Sequence, residues 1–202
     1  MKTKKVVTIL IFLITLQFAL LGQKFEGTFT LNTKNIEAGE SATVIWIASE
    51  GYHRMDFQSS SEQGNTSYSL YMNQGSGNVT LVATDNKIEI PVSQFNTTSP
   101  VTHFFTAQAT GQTKKIADYA CTEYKLIGAN GYAICWVNNE FSLSQPPPLF
   151  LAQGVFKTLA DNNIQGVPFQ LEVFDAKGKL IYSQQITHVN TQKPNLSLVK
   201  LP

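Results

Sequence analysis

Alternating apolar and polar positions run through most of the chain. In residues 25–31, Phe25, Phe29 and Leu31 occupy odd positions with polar residues between them, which is the pattern of a half-buried strand. Comparable stretches follow at residues 41–48, 52–58, 68–72, 79–84, 87–92, 103–109, 167–174, 179–188 and 196–200. With the central segment described next, the pattern predicts about ten strands separated by short turns.

The central segment, residues 114–137, holds both cysteines of the chain. Two β-rich stretches, 114–127 and 132–137, flank an Asn130-Gly131 pair, a strong signal for a tight hairpin because both residues tolerate positive φ. Cys121 and Cys135 have the same parity and are expected on one face of this hairpin. Two alternatives remain open: a disulfide between them, which an oxidising compartment favours, or two buried thiols.

Only one stretch departs clearly from the strand pattern. After three consecutive prolines, residues 149–160 place Leu149, Ala152, Phe156, Leu159 and Ala160 on one helical stripe. Proline is well suited to the start of a helix, so a short helix is predicted here. Because strands and helices do not alternate, the sheet should be antiparallel, and the predicted class is mainly β (α+β).

Residues 1–22 have the composition of a secretory signal peptide. A basic start precedes a long apolar run, and Gly22 before Gln23 suits a cleavage site. No cysteine lies near that site, so the acylated cysteine of a lipoprotein anchor is not expected. The mature chain, residues 23–202, is predicted to be one soluble periplasmic or secreted domain with no transmembrane span.

Charge excludes one class of partner. Cleavage removes three of the 15 basic residues and none of the 14 acidic ones, which leaves a net charge of −2. A mature chain with this balance lacks the basic surface that nucleic-acid binding requires. No nucleic-acid partner is therefore expected.

No familiar catalytic motif is present, and no enzyme activity, metal or cofactor is predicted. The three histidines, His53, His103 and His188, lie singly on different predicted strands. Asp118, Glu123 and Glu140 are the carboxylates nearest the central hairpin and represent the least favoured alternative, an exported hydrolase.

Apolar side chains in the strands and the helix suggest a different role. A curved antiparallel sheet around one short apolar helix can leave a cavity for an acyl chain, and methionine and phenylalanine adapt well to such a ligand. The predicted ligand-binding residues are Ile45, Met55, Phe57, Leu70, Met72, Leu81, Leu126, Trp136, Phe150, Phe156, Phe169 and Leu171. The alternative is that the same residues fill a dry core.

Three segments, residues 115–124, 133–137 and 166–173, resemble in order an uncharacterised family of exported bacterial envelope proteins. That family is itself similar to the LolA/LppX-type lipoprotein carriers, in which a half-open antiparallel β-barrel wraps helices and holds acyl chains. The resemblance implies a LolA-like half-barrel on a short helix, without a reaction. Asp118 and Phe169 depart from the family pattern, which prefers glycine and leucine there.

The function expected is non-covalent binding of a lipid or of the acyl part of a lipoprotein, with polar groups at the rim setting specificity. The alternative is a structural or protein-interaction module of the cell envelope, whose exposed strand edges recruit an envelope protein.

Overall fold

The computed structural model describes residues 23–61, 64–73, 78–83, 86–91, 104–143 and 150–201. The predicted signal peptide and His103 lie outside the described residues. The prediction of one mature domain over 23–202 is not tested by the described ranges and stays a prediction.

Thirteen strands and one α-helix occur in the described part. The helix, α1, spans Phe150–Asp161. The strands are β1 Gln23–Lys24, β2 Gly27–Asn35, β3 Glu40–Ser49, β4 Tyr52–Ser61, β5 Gly64–Asn73, β6 Asn78–Ala83, β7 Asn86–Pro91, β8 Phe104–Ile116, β9 Tyr119–Gly128, β10 Gly131–Asn138, β11 Phe141–Ser142, β12 Val167–Asp175 and β13 Leu180–Asn190.

Eleven of these strands form one open sheet in the order β7-β6-β5-β4-β3-β2-β13-β12-β10-β9-β8, and every neighbouring pair is antiparallel. β1 and β11 form a separate short parallel pair. The predicted fold class is confirmed: a mainly antiparallel, open β structure with a single described helix. Pro91 ends the edge strand β7, as expected for a residue that cannot donate to a ladder.

Helix α1 lies where the proline-led pattern predicts it. Val155 and Leu159 are 1% and 2% exposed, so the face that carries them packs on the sheet. Of the predicted stripe, Leu159 lies on this face, Phe156 is half-buried and Ala160 is exposed. The Thr158 hydroxyl lies 3.0 Å from the backbone oxygen of Phe104 in β8, which ties the helix to the edge of the sheet. The helix therefore covers the end of the sheet formed by β8, β9, β10 and β12.

Two apolar clusters make up the core. The helix cluster packs α1 against the sheet and comprises Phe104, Leu126, Ala133, Cys135, Val137, Val155, Leu159, Leu171, Val173 and Ile181. The aromatic cluster comprises Phe25, Phe29, Leu31, Val44, Trp46, Ala48, Met55, Phe57, Leu70, Met72, Val79, Ile116, Cys121, Trp136, Phe141, Val167, Phe169 and Ile186.

The β9–β10 hairpin forms as predicted, but its turn differs. Gly128 pairs with Gly131, so residues 128–131 connect the two strands as predicted, and Ala129 and Asn130, rather than Asn130 and Gly131, occupy the two central turn positions. Gly131 has φ +154°, and a Cβ there would lie 2.1 Å from the backbone oxygen of Phe174. This glycine is required by the close approach of β12 rather than by the turn.

A second hairpin divides the stretch that the pattern predicts as one strand, residues 114–127. Ile116 pairs with Tyr119, and the two turn residues, Ala117 and Asp118, have φ values of 48° and 72°. Two consecutive positive φ angles match the tight turn that suits the twist of a hairpin. The sequence conceals this turn because neither position carries the glycine that signals it, and Asp118 is the position where the resembled family prefers glycine.

The last predicted strand, residues 196–200, is also wrong. Leu196–Leu198 form a 3-10 turn, in which the Asn195 side chain accepts a hydrogen bond from the Ser197 backbone N–H at 3.0 Å. A local side-chain bond of this kind competes with pairing in a sheet.

Two stretches that lie between predicted strands are parts of strands. Gly111, after the predicted strand 103–109, lies inside β8, where φ is +81° and the pairing with β9 shifts between Ala109 and Thr113. The gap between the predicted strands 52–58 and 68–72 is shorter than expected, because β4 extends to Ser61 and β5 begins at Gly64.

Candidate functional site

A groove of about 570 Å³ opens on the face of the sheet that also carries helix α1. We call it the β2–β5 groove. Its lining comes from β2 to β5 and from β13 and comprises Thr33, Asn35, Glu40, Ser41, Ala42, Val44, Phe57, Ser59, Ser61, Gly64, Thr66, Tyr68, Tyr182 and Gln184. Its volume falls within the range of small-molecule sites in proteins.

The deepest row of the groove is apolar. Leu31 pairs with Val44, Val44 with Phe57 and Phe57 with Tyr68, so one row of side chains crosses β2 to β5. Leu31, Val44 and Phe57 are 1%, 0% and 8% exposed, whereas Tyr68 is half-buried. The Phe57 and Tyr68 rings stack with centroids 4.6 Å apart.

The next row, two residues further along each strand, carries hydroxyls and an amide. Gln184 pairs with Thr33, Thr33 with Ala42, Ala42 with Ser59 and Ser59 with Thr66. Strand alternation places this row on the same face as the apolar one. The groove therefore changes from apolar to hydrogen-bonding side chains across a single step of the pleat.

The outermost row forms the mouth. Tyr182 pairs with Asn35, and Asn35 pairs with Glu40. Burial raises the pKa of Tyr68, and the negative charge of Glu40 raises it further, so the carboxylate acts on a phenol of the deepest row. Burial also raises the pKa of Tyr182, whose hydroxyl donates to Gln184 Oε1 at 3.2 Å. Both phenols are neutral donors at physiological pH.

One predicted ligand-binding residue, Phe57, lines this groove. Met55, Leu70 and Met72 are buried in the aromatic cluster, and Leu81 packs against it. Met72 also lines a smaller groove of about 290 Å³ beside the C-terminal residues. As ligand contacts, these residues remain a prediction.

The residues predicted near the helix are packed. Leu126 and Leu171, 0% and 2% exposed, contact the apolar face of α1 in the helix cluster. Phe156 is half-buried, and Phe150 begins the helix, with its side chain outside the described part. The space between sheet and helix is filled at these positions.

Three predicted residues lie away from both the groove and the helix cluster. Ile45 pairs with Thr30 and Asp56 and, by strand alternation, points to the face opposite Val44. Trp136 and Phe169 belong to the aromatic cluster, and the Lys114 ammonium lies 4.0 Å from the Trp136 ring centroid. Trp136 therefore packs in the aromatic cluster and not in the helix cluster.

Both cysteines are free and buried, so the disulfide alternative is wrong. Cys135 pairs with Tyr124, three residues from Cys121, because the turn contains two residues. An odd offset points the two side chains to opposite faces, contrary to the expectation of one face. Burial raises the pKa of Cys121 to about 11 and raises that of Cys135 as well, so neither is a thiolate nucleophile at neutral pH.

The histidines do not come together. His53 is 4% exposed, and its Nδ1 accepts a hydrogen bond from Trp46 Nε1 at 3.2 Å, while Nε2 has no partner among the described residues. Burial lowers the pKa of His53 to about 4. His188 is exposed on β13. Within the described ranges, no group of three or more His, Cys, Asp or Glu side chains could hold a metal ion.

The three candidate carboxylates are spread over the β8–β11 region. Asp118 is exposed in the β8–β9 turn, Glu123 is half-buried opposite Trp136, and Glu140 is exposed after β10. None of them lines the β2–β5 groove.

Sequence reasoning missed most of the groove. Val44 and Tyr68 carry an alternation signal. However, Ile45 next to Val44, and Tyr71 on the opposite face of the strand from Tyr68, are equally apolar or aromatic, so the pattern does not say which face is lined. In the sequence, the hydroxyl-bearing residues of the second row have the pattern of an ordinary solvent-exposed strand face. Their shared position depends on the pairing of strands that are up to about 150 residues apart in the chain.

No protein-family model matches the chain, and no curated protein matches its sequence. Similar solved structures do exist. MucB is 10% identical with a TM-score of 0.54 over 91% of this chain and 60% of MucB, so the chain spans less than two thirds of MucB. An uncharacterised conserved protein from Thermus thermophilus is 8% identical with a TM-score of 0.54, over 87% of this chain and 84% of its own.

A protein from Vibrio parahaemolyticus, provisionally described as an outer membrane lipoprotein-sorting domain, is 10% identical with a TM-score of 0.32, over 84% of this chain and 85% of its own. The similarity to MucB and to the Thermus protein shows a shared fold. In the described part of the chain, no helix has the length and apolar character needed to cross a membrane.

Proposed function

We propose that this protein is an exported envelope protein that binds the acyl chain of a lipid or lipoprotein non-covalently in the β2–β5 groove. The observation that carries the proposal is the row order of the groove, apolar at depth and hydrogen-bonding toward the mouth. An amphiphile has the same order, from hydrocarbon tail to polar head. The sequence pattern of residues 1–22 supports export.

Apolar contact supplies the binding free energy in this proposal. The half-buried ring of Tyr68 and the exposed edge of Phe57 offer the apolar surface, above the buried side chain of Val44. Burial is worth about 0.8 kcal/mol per methylene, so six methylenes against this row contribute about 5 kcal/mol. Loss of translational freedom offsets part of that gain, which suits a carrier that must release its ligand.

A pair of adjacent substitutions tests the proposal. Ala42→Trp places a large side chain inside the groove, whereas Thr43→Trp places the same side chain on the opposite face of β3. With a fluorescent monoacylglycerol as the probe, wild type and Thr43→Trp should bind, and Ala42→Trp should bind at least tenfold more weakly. Native mass spectrometry of the purified protein should show the same order for lipid that co-purifies.

Equal uptake by the two tryptophan variants would contradict the proposed site. No uptake by any variant, together with a clean apo mass, would contradict lipid binding altogether. Urea unfolding of each variant shows whether it is folded.

A second candidate, a protein-interaction module of the envelope, is favoured by strand β8. It forms an edge of the sheet over 13 residues, Phe104–Ile116, most of which are exposed. A long exposed edge can pair with a strand from another protein. A cross-linker at Gln112→Cys, on this edge, should then capture one defined envelope protein, and a cross-linker at Thr187→Cys, on the interior strand β13, should not.

A further inference from the structure

The formal charge in the described lining of the β2–β5 groove is negative. Of the described residues that line it, Glu40 is the one with a formal charge, and the described lining contains no lysine, arginine or histidine. The remaining polar groups are hydroxyls and amides, which hydrogen-bond without net charge.

Two lysines lie close to the groove along the chain. Lys34 is adjacent to Thr33, and by strand alternation its side chain points to the face opposite that of Thr33. Lys179 begins the approach to β13, and its backbone N–H is held by Asp175 Oδ1 at 2.8 Å in the β12–β13 turn. Neither lysine belongs to the groove lining.

The β2–β3 turn beside the mouth carries a second acidic residue and not a cation that could pair with Glu40. Glu37 lies in the β2–β3 connection, three residues before Glu40, and it is exposed and outside the lining. Glu40 is exposed as well, so a ligand head at the mouth meets an exposed carboxylate at the rim, and a second one lies in the same turn. Like charges repel one another there, most strongly at low salt.

We infer that the β2–β5 groove selects amphiphiles with an uncharged, hydroxyl-bearing head, such as a monoacylglycerol, over anionic ones, and that Glu40 determines this specificity. The inference rests on the proposed function. The Glu40 carboxylate accepts a hydrogen bond from a head-group hydroxyl, and Thr33, Ser59 and Gln184 supply further partners. A carboxylate or phosphate head brings a second negative charge to the same place and has no cation to pair with.

The test compares monolauroylglycerol with laurate, which have the same acyl chain, at pH 8 and low salt. Each displaces the fluorescent monoacylglycerol from wild type, from Glu40→Gln and from Glu37→Gln. Wild type should bind monolauroylglycerol at least fivefold more tightly than laurate. Glu40→Gln should narrow this ratio about fivefold by improving laurate binding, whereas Glu37→Gln should narrow it less than twofold. Salt at 0.5 M should weaken the wild-type discrimination, since it screens exposed charges.

The ratio of the two affinities, monolauroylglycerol to laurate, distinguishes an error about specificity from an error about binding. If both amphiphiles bind and Glu40→Gln leaves the ratio unchanged, or if wild type prefers laurate, the inference fails while the proposed function stands. If neither amphiphile displaces the probe from folded wild type, the proposed function fails and the inference fails with it. An unchanged urea midpoint for Glu40→Gln shows that the comparison is made on the same fold.

Discussion

Cys135 and Leu171 belong to the same row of the sheet as Thr33 and Ala42, yet the two halves of that row have opposite properties. The row runs from Cys135 to Leu171 and Gln184, and then across β2 and β3. Under helix α1 its residues are apolar and less than 3% exposed. Beyond β13 no described helix covers it, and its residues carry hydroxyls and amides around a groove.

The difference shows how one short helix divides a sheet. A 12-residue helix can cover only part of an 11-stranded sheet, so the uncovered part of the same face must be solvated or occupied by a ligand. The chain provides hydrogen-bonding side chains there, with an apolar row directly beneath them. The covered half is expected to determine stability and the uncovered half to determine binding.

The largest effect on stability is expected from a substitution in the half of the sheet that helix α1 covers. Leu159→Ala should lower the free energy of unfolding by about 2–5 kcal/mol, because it leaves a cavity between helix and sheet. Binding of the fluorescent monoacylglycerol by the folded fraction should not change. Urea unfolding and probe titration measure the two effects.

Lys157→Ala is the control on the same helix. It removes only an exposed ion pair with Asp161, 2.6 Å long, and should cost about 0.3–0.5 kcal/mol. Equal losses for the two variants would argue against the packed helix cluster.

Acidification should lower the free energy of unfolding through His53, which lies on β4 in the half of the sheet that helix α1 does not cover. Its pKa in the folded protein, about 4, lies below the ordinary value of 6.5, so the unfolded chain binds a proton first as the pH falls. The stabilising contribution is complete above pH 6.5 and is lost between pH 6.5 and 4, a change of about 3 kcal/mol. Protonation also removes the acceptor for the Trp46 N–H.

Urea unfolding between pH 7 and pH 4 measures this loss. His53→Gln should reduce the pH dependence, and His188→Gln, a change at an exposed histidine, should retain it. The same slope for His53→Gln and wild type would contradict the assignment to His53.

Two tyrosines, each stacked on a phenylalanine, allow a comparison in which the expected effects on stability and binding are smaller. Tyr68 stacks on Phe57 inside the groove, and Tyr132 stacks on Phe174 outside it, with centroids 4.6 and 4.8 Å apart. Tyr68→Leu and Tyr132→Leu should each cost about 1 kcal/mol of stability. Only Tyr68→Leu should weaken binding of the fluorescent monoacylglycerol, by about fivefold. A similar loss of binding in both variants would remove the distinction between the halves.

Reduction should have no effect. A disulfide closing the loop from Cys121 to Cys135 would contribute about 3 kcal/mol. Since both thiols are free and lie on opposite faces, the urea midpoint should be the same with and without dithiothreitol. A fall in the midpoint on reduction would show a cross-link.

The sequence by itself determined the elements whose signals are local. Alternation identifies most strands, the proline-led stripe identifies helix α1, and the absence of alternating helices makes the sheet antiparallel. Each of these signals depends on residues within a few positions of one another, and the structure agrees with them. The errors occur where a local signal is missing, as at Ala117 and Asp118, or misleading, as at Asn130 and Gly131.

Only the tertiary structure decided which face each residue shares with distant strands. A shift of one residue in pairing moves a side chain to the other face, so it is the two-residue length of the turn that places Cys121 and Cys135 on opposite faces. The same register aligned Thr33, Ala42 and Gln184 into one row and put Glu40 at its mouth. The groove depends on this register and on how far helix α1 extends over the sheet. Neither can be predicted from any short stretch of the chain.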